Sequence, residues 1–106
     1  MQHYTPLQLK ERLEQDAARP VLLDVREPRE FRVCALEDSR LIPMREIPAR
    51  LQSLDKDDEI VVICHHGIRS RSVVQYMEQQ GFTHVINLSG GVAAWAHDVD
   101  PDMPTY

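Results

Sequence analysis

The stretch that decides the reading is Glu59-Ile60-Val61-Val62-Ile63-Cys64-His65-His66-Gly67-Ile68-Arg69-Ser70. Its first half holds four consecutive apolar, β-branched residues. Such a run suits a strand covered on both faces, as in a parallel sheet. The spacing predicts a strand from Glu59 to Cys64, a short segment from His65 to Ser70, and a helix over 70–80. Val73, Val74 and Met77 would face inward on that helix, and Gly81 sits where a C-terminal cap glycine belongs.

Outward from this centre the pattern repeats. Upstream, Thr5 is an N-cap candidate and Pro6 suits a first helical position, so 6–17 reads as a helix carrying Leu7, Leu9, Leu13 and Ala17. Arg19-Pro20 stops it. Val21 to Val25 reads as a buried strand, and Glu27 to Phe31 as a loop turning into a short helix. Leu41-Ile42 is a short strand ended by Pro43. Residues 46–54 read as a helix through Ile47, Leu51 and Leu54. Downstream, Val85 to Leu88 is a strand, Ser89-Gly90-Gly91 a turn and Val92 to His97 a short helix. The tail from Asp98 to Tyr106 reads as irregular. Strands alternating with helices describe an α/β domain with a mostly parallel sheet. The chain shows no repeat, linker or low-complexity segment.

The 106 residues leave room for one domain, 1–106, at ~150 residues per domain. Hydrophobic content of 42% and charged content of 27% set aside collagen-like, disordered and membrane-spanning classes. Twelve Lys and Arg against 17 Asp and Glu give a net charge of −5, which argues against a nucleic-acid partner. Met1 to Lys10 lacks a signal pattern, and no apolar run approaches the ~18 residues of a membrane span. Two cysteines, Cys34 and Cys64, cannot form a secreted disulfide framework. The expected location is a reducing cytoplasm, with no membrane partner.

Ligands of open α/β sheets sit at the carboxyl ends of strands. Cys64 stands at such an end, and a helix follows at once. A helix N-terminus offers unpaired N–H groups and partial positive charge. Gly67 allows the sharp turn, and the amides of His65, His66, Gly67, Ile68, Arg69 and Ser70 can form an anion-binding nest. Arg69 adds a fixed charge. A thiol in that cradle is favoured as the nucleophilic thiolate. A cysteine ending a strand is otherwise more often a small apolar residue; the Gly, the Arg and the helix start point to function instead. His65 and His66 are adjacent, whereas zinc ligands are normally spaced by two or more residues, so no metal is expected. Asp24 and Arg26 support the site's rim as structural ion pairs, with Arg26 expected on Glu30. Trp95 is expected in the core.

Cys64-x-x-Gly67-x-Arg69-Ser70 after a strand resembles the active-site loop of the rhodanese, or sulfurtransferase, family. Asp24-Val25-Arg26-x-x-x-Glu30-Phe31, Ile42-Pro43, Gly81-Phe82 and Leu88-Ser89-Gly90-Gly91-x-x-x-Trp95 resemble further family elements in the family's order. The likeness runs from about Tyr4 to Trp95. It implies a rhodanese-like α/β fold with a central five-stranded, mostly parallel sheet flanked on both faces by helices. It also implies a thiosulfate sulfurtransferase-like enzyme. A Cys64 persulfide would carry sulfur from a small-molecule donor such as thiosulfate to cyanide, a small thiol or a protein thiol. No metal or organic cofactor is implied. Cys34 is then a packed thiol; the alternative is that it resolves the persulfide as a disulfide. The related cysteine phosphatases use Cys-x5-Arg, whereas four residues separate Cys64 from Arg69. A phosphatase or arsenate-reductase-like enzyme is therefore a lesser alternative. Another is a non-catalytic module that binds a partner protein. One departure stands out: Val33 to Arg40 lacks the glycines and histidine usual between the family's second and third elements.

Overall fold

A computed structural model describes residues 1–106. Five strands form one sheet: β1 (Gln2–Tyr4), β2 (Val21–Asp24), β3 (Arg40–Leu41), β4 (Ile60–Ile63) and β5 (Val85–Leu88). Their spatial order is β1-β5-β4-β2-β3, and every neighbouring pair is parallel. The helices are α1 (Pro6–Glu14), α2 (Pro28–Val33), α3 (Ile47–Arg50), α4 (Ile68–Gln79) and α5 (Gly91–Asp98). No helix is long and apolar enough to cross a membrane.

The strongest strand of the sequence takes the centre. Every residue of β4 and β5 is buried, as their unbroken apolar runs require. Successive side chains point to opposite faces, which splits the interior in two. Ile60, Val62 and Cys64 pack with Ile47, Val73 and Met77 under α3 and α4. Val61, Ile63, Ile86 and Leu88 pack with Leu9, Val92 and Trp95 under α1 and α5. Asn87 alternates with Ile86 and Leu88, so it shares the α4 face with Cys64.

Several boundaries differ from the sequence reading. The helix expected over 6–17 starts on a Thr5–Gln8 capping box but ends at Glu14; Gln15 is extended. Arg12 reaches forward to donate to the Ala18 carbonyl at 2.6 Å, closing the turn in place of further helix. The helix expected over 46–54 is three short pieces: a 3-10 turn at Met44–Glu46, α3, and another 3-10 turn at Leu51–Ser53. Pro48 has no N–H to continue the first turn. α4 begins at Ile68, two residues earlier than read, because Gly67 at φ 95° serves as its N-cap. β1 was not anticipated. Its Gln-His-Tyr is short and mostly exposed, and it is held by pairing with β5 and by Tyr4, which bonds Glu59. The irregular tail read from Asp98 starts one residue later, since α5 includes Asp98, and residue 106 returns to the end of the sheet where the Cys64 loop lies.

Candidate active site

The chain leaves the sheet at Cys64, the residue after β4, and its thiol is 1% exposed. Cys64 Sγ accepts the Gly67 N–H at 3.0 Å and lies 3.3 Å from Ser70 Oγ. The backbone N–H groups of His65, His66, Ile68, Arg69 and Ser70 bond to no acceptor within the chain. Five free donors next to a thiol and a helix start can stabilise a small anion.

Two glycines make this turn possible. Gly67 adopts the left-handed conformation, and a Cβ there would come 3.0 Å from the Gly90 nitrogen. Gly91 lies so close to the loop that a Cβ would collide with the carbonyl oxygens of Cys64 and His65. That approach lets α5 donate to the same carbonyls: Val92 N–H to Cys64 at 2.9 Å and Ala93 N–H to His65 at 3.1 Å. The Gly-Gly element after β5 therefore clamps the Cys64 loop from behind.

The charges are arranged differently from expectation. Arg69 makes a bidentate pair with Glu30 on α2, at 2.8 and 2.9 Å. Glu30 also accepts from its neighbour Glu27 N–H at 3.0 Å and from the Tyr106 hydroxyl at 2.7 Å. The Arg69 bonds foremost, against the opposing effect of burial, hold the Glu30 carboxyl well below the usual carboxylate range. The same bonds raise Arg69 further above its ordinary value. The expected Arg26–Glu30 ion pair is absent. The chain bends just after β2, where Arg26 N–H donates to Asp24 Oδ1, so the Arg26 guanidinium meets Asp24 instead, at 2.7 to 3.1 Å, with both side chains fully buried. Arg26 further donates to the carbonyls of Cys34 and Glu30 and to the Tyr106 hydroxyl. Asp24 and Arg26 thus brace α2 and the tail and make no bond to Cys64.

His65 and His66 stack on each other at 3.9 Å between ring centres. Tyr106 stacks on the other face of His65 at 4.0 Å. Burial, then the neighbouring His66, lowers the proton affinity of His65 below its ordinary value. Between these rings and the tail lies a cavity of about 110 Å³ that Cys34 also lines. Nowhere do three or more His, Cys, Asp or Glu side chains gather as a metal site would need. Ile68 points outward, 76% exposed.

Cys64, Gly67 and Ser70 are thus brought together, Arg69 sits behind them, and Ile68 is turned away. Sequence reasoning missed three participants. Glu30 was assigned the wrong arginine. Asn87, bonded to Ser70, left one signal, a polar residue inside an otherwise apolar strand. Tyr106 left none, since nothing local ties a tail residue to a loop 40 positions away.

The pattern of the family described as "Rhodanese-like domain" matches residues 5–98. A Bacillus subtilis protein, YtwF, provisionally named a sulfurtransferase, is 40% identical over 93 residues, 88% of each chain. A protein of Allochromatium vinosum named "Sulfurtransferase" is 39% identical over 76% of each. The crystal structure of a rhodanese-like domain protein from Staphylococcus aureus superposes with a TM-score of 0.84 at 34% identity, over 90% of this chain and 91% of that one. Relatives named for sulfur transfer support that general role, with its need for a sulfur donor and an acceptor, and the chain belongs to the rhodanese-like domain family.

Proposed function

We propose that this protein moves a sulfane sulfur from a donor such as thiosulfate to a thiophilic acceptor through a persulfide on Cys64. The Cys64 thiolate attacks the outer sulfur of the donor. A new S–S bond forms as the old one breaks, and sulfite leaves with the bonding pair. The outer sulfur of the persulfide then carries negative charge beside the free amides of the loop. Cyanide, a small thiol or a protein thiol attacks that outer sulfur, and Cys64 departs as thiolate.

The observation that carries this reading is the set of five unbonded amides in a loop whose sulfur already accepts a sixth, from Gly67. Fixed dipoles aimed where charge develops cost no reorganisation at the moment of reaction. Arg69 contributes less free charge than its sequence position suggests, because Glu30 neutralises it; its part is to hold the loop against α2. Loop length favours sulfur over phosphate. In the position where a Cys-x5-Arg loop would place its arginine stands Ser70, fully buried and turned to Asn87.

Incubation with thiosulfate should add one sulfur atom to Cys64, read by mass spectrometry of the intact chain and its peptides. Cys64→Ser should abolish both the adduct and turnover while the fold is kept. A wild-type protein with a free, alkylatable Cys64 and no adduct from any of a panel of donors would refute the proposal.

A further inference from the structure

Asn87 is the polar side chain of β5, and it is 3% exposed. A buried amide is tolerated where its donors and acceptor find partners. Register places Asn87 beside Val62 on β4 and beside His3 on β1. Alternation sends it to the α4 face, where Ser70 of α4 stands between it and Cys64. Ser70 Oγ donates a short hydrogen bond to Asn87 Oδ1. The same oxygen lies 3.3 Å from Cys64 Sγ. Asn87 Nδ2 faces His3 Nδ1 at 3.2 Å, which keeps the amide oxygen toward Ser70.

A serine hydroxyl has one proton and two lone pairs. With that proton on Asn87, Ser70 offers Cys64 a lone pair. This suits the thiol, whose S–H donates to it, and opposes the thiolate. For the thiolate to gain a hydrogen bond from Ser70, the hydroxyl must turn. The buried Asn87 oxygen then loses its donor, a costly state for a group out of reach of water.

We propose that Asn87 is a positioning residue that fixes the Ser70 hydroxyl, so that Ser70 presents a lone pair and not its proton to Cys64 Sγ. The inference rests on Cys64 being the nucleophile of the proposed function. The charged and titratable groups about Cys64 are Arg69 on α4 with its counter-ion Glu30 on α2, and His65 and His66 in the loop. β4 and β5 carry none. The titratable group bonded to Asn87 is His3 on β1. Replacing Asn87 by an apolar residue therefore changes the Ser70 partner without changing any charge.

The test is the rate of Cys64 alkylation by iodoacetamide as a function of pH, followed site by site by mass spectrometry. In Asn87→Leu the Ser70 hydroxyl is released to the thiolate. Alkylation at acid pH should rise about threefold, the gain in thiolate being offset in part by its lower nucleophilicity once it accepts a further hydrogen bond. In a Ser70→Ala background the same substitution should change nothing. Should circular dichroism find Asn87→Leu unfolded, Asn87→Val, better suited to a strand, carries the same expectation. An unchanged or slower rate in a folded variant overturns the inference, and so does an equal acceleration without Ser70. The readout is independent of sulfur transfer. Faster alkylation in a protein that never loads sulfur would refute the proposed function alone. An unchanged profile in a protein that does load sulfur would refute this inference alone.

Discussion

Two arginine–carboxylate pairs flank the start of α2 and have nearly the same length. Arg26 closes on Asp24 at 2.7 Å, and Arg45 closes on Glu27 at 2.6 Å. Both side chains of the first are 0% exposed; those of the second are 65% and 39% exposed. Distance therefore says little about what each pair does. In water the attraction is screened and two long side chains must be ordered to keep it. In the interior, burial works against the Arg26 charge, and bonds from Asp24 and Tyr106 more than restore it. Arg26 uses its further donors on α2, on Cys34 just after it and on the tail at once. Arg45 has Glu27 alone for a bonded partner. The Arg69–Glu30 pair behind Cys64 lies between them, at 36% and 8% exposure. The three form a graded series in which burial and the number of extra partners, rather than length, set the consequence of a break.

The sharpest way to break the comparison is at its buried end. Arg26→Met leaves Asp24 as an uncompensated charge and frees the tail. It should cost ~3–5 kcal/mol in chemical denaturation. The double variant Asp24→Leu/Arg26→Met removes the orphan charge and should recover much of that loss. A cost below about 1 kcal/mol for the single variant would mean that the pair behaves like a surface one.

The middle of the series ties stability to pH. Glu30→Gln keeps one acceptor oxygen for Glu27 N–H, puts an amide NH2 where Oε2 accepted from Tyr106 and Arg69, and removes the charge opposite Arg69. At neutral pH it should cost ~1–2 kcal/mol, toward the low end because Arg69 is partly solvated. The folded-state value of Glu30 is depressed. Its stabilisation is therefore complete above the ordinary Glu value of about 4.3 and is lost as pH falls below it. The gap in unfolding free energy between wild type and Glu30→Gln should narrow steadily on acidification from about pH 5. A constant gap would show that the carboxylate's charge is not what holds Arg69. Sulfur loading of Cys64 should slow with the substitution, since Arg69 anchors the loop to α2.

The same contrast explains what the sequence could disclose. β4, β5 and α4 were legible because an apolar run or a helical stripe is a local consequence of burial, and they alone place Cys64. The fold class followed from their alternation. Gly67 and the Gly90-Gly91 turn were visible as residues. That Gly91 lets α5 clamp the Cys64 and His65 carbonyls was not, because it depends on bonds between residues 28 positions apart, Val92 to Cys64 (92 − 64) and Ala93 to His65 (93 − 65). The choice of Glu30's arginine failed for a like reason. Arg26 is near in sequence, Arg69 is near in space, and Asp24 claims Arg26 through the bend that follows β2. β1 escaped because a three-residue edge strand buries too little to leave a pattern. Tyr106 escaped because Arg26 and Glu30 define its place, and only the folded chain assembles them.

The exposed end of the series provides the smallest effect and the most exacting control. Arg45 and Glu27 meet at a shorter distance than Arg26 and Asp24, so a view of stability built on contact lengths ranks them at least equal. Arg45 sits on the 3-10 turn before α3 and bonds to nothing else, and its carboxylate partner remains solvated when it is removed. Arg45→Ala should leave the unfolding midpoint and the rate of Cys64 loading unchanged within error, and added salt should not separate it from wild type. Glu27 matters differently, because its backbone caps α2 and its N–H holds Glu30. Those groups survive any substitution at Arg45. A clear loss of stability in Arg45→Ala would therefore mean that the rim pair transmits to Glu30 through Glu27, and burial would no longer be the variable that orders the three pairs.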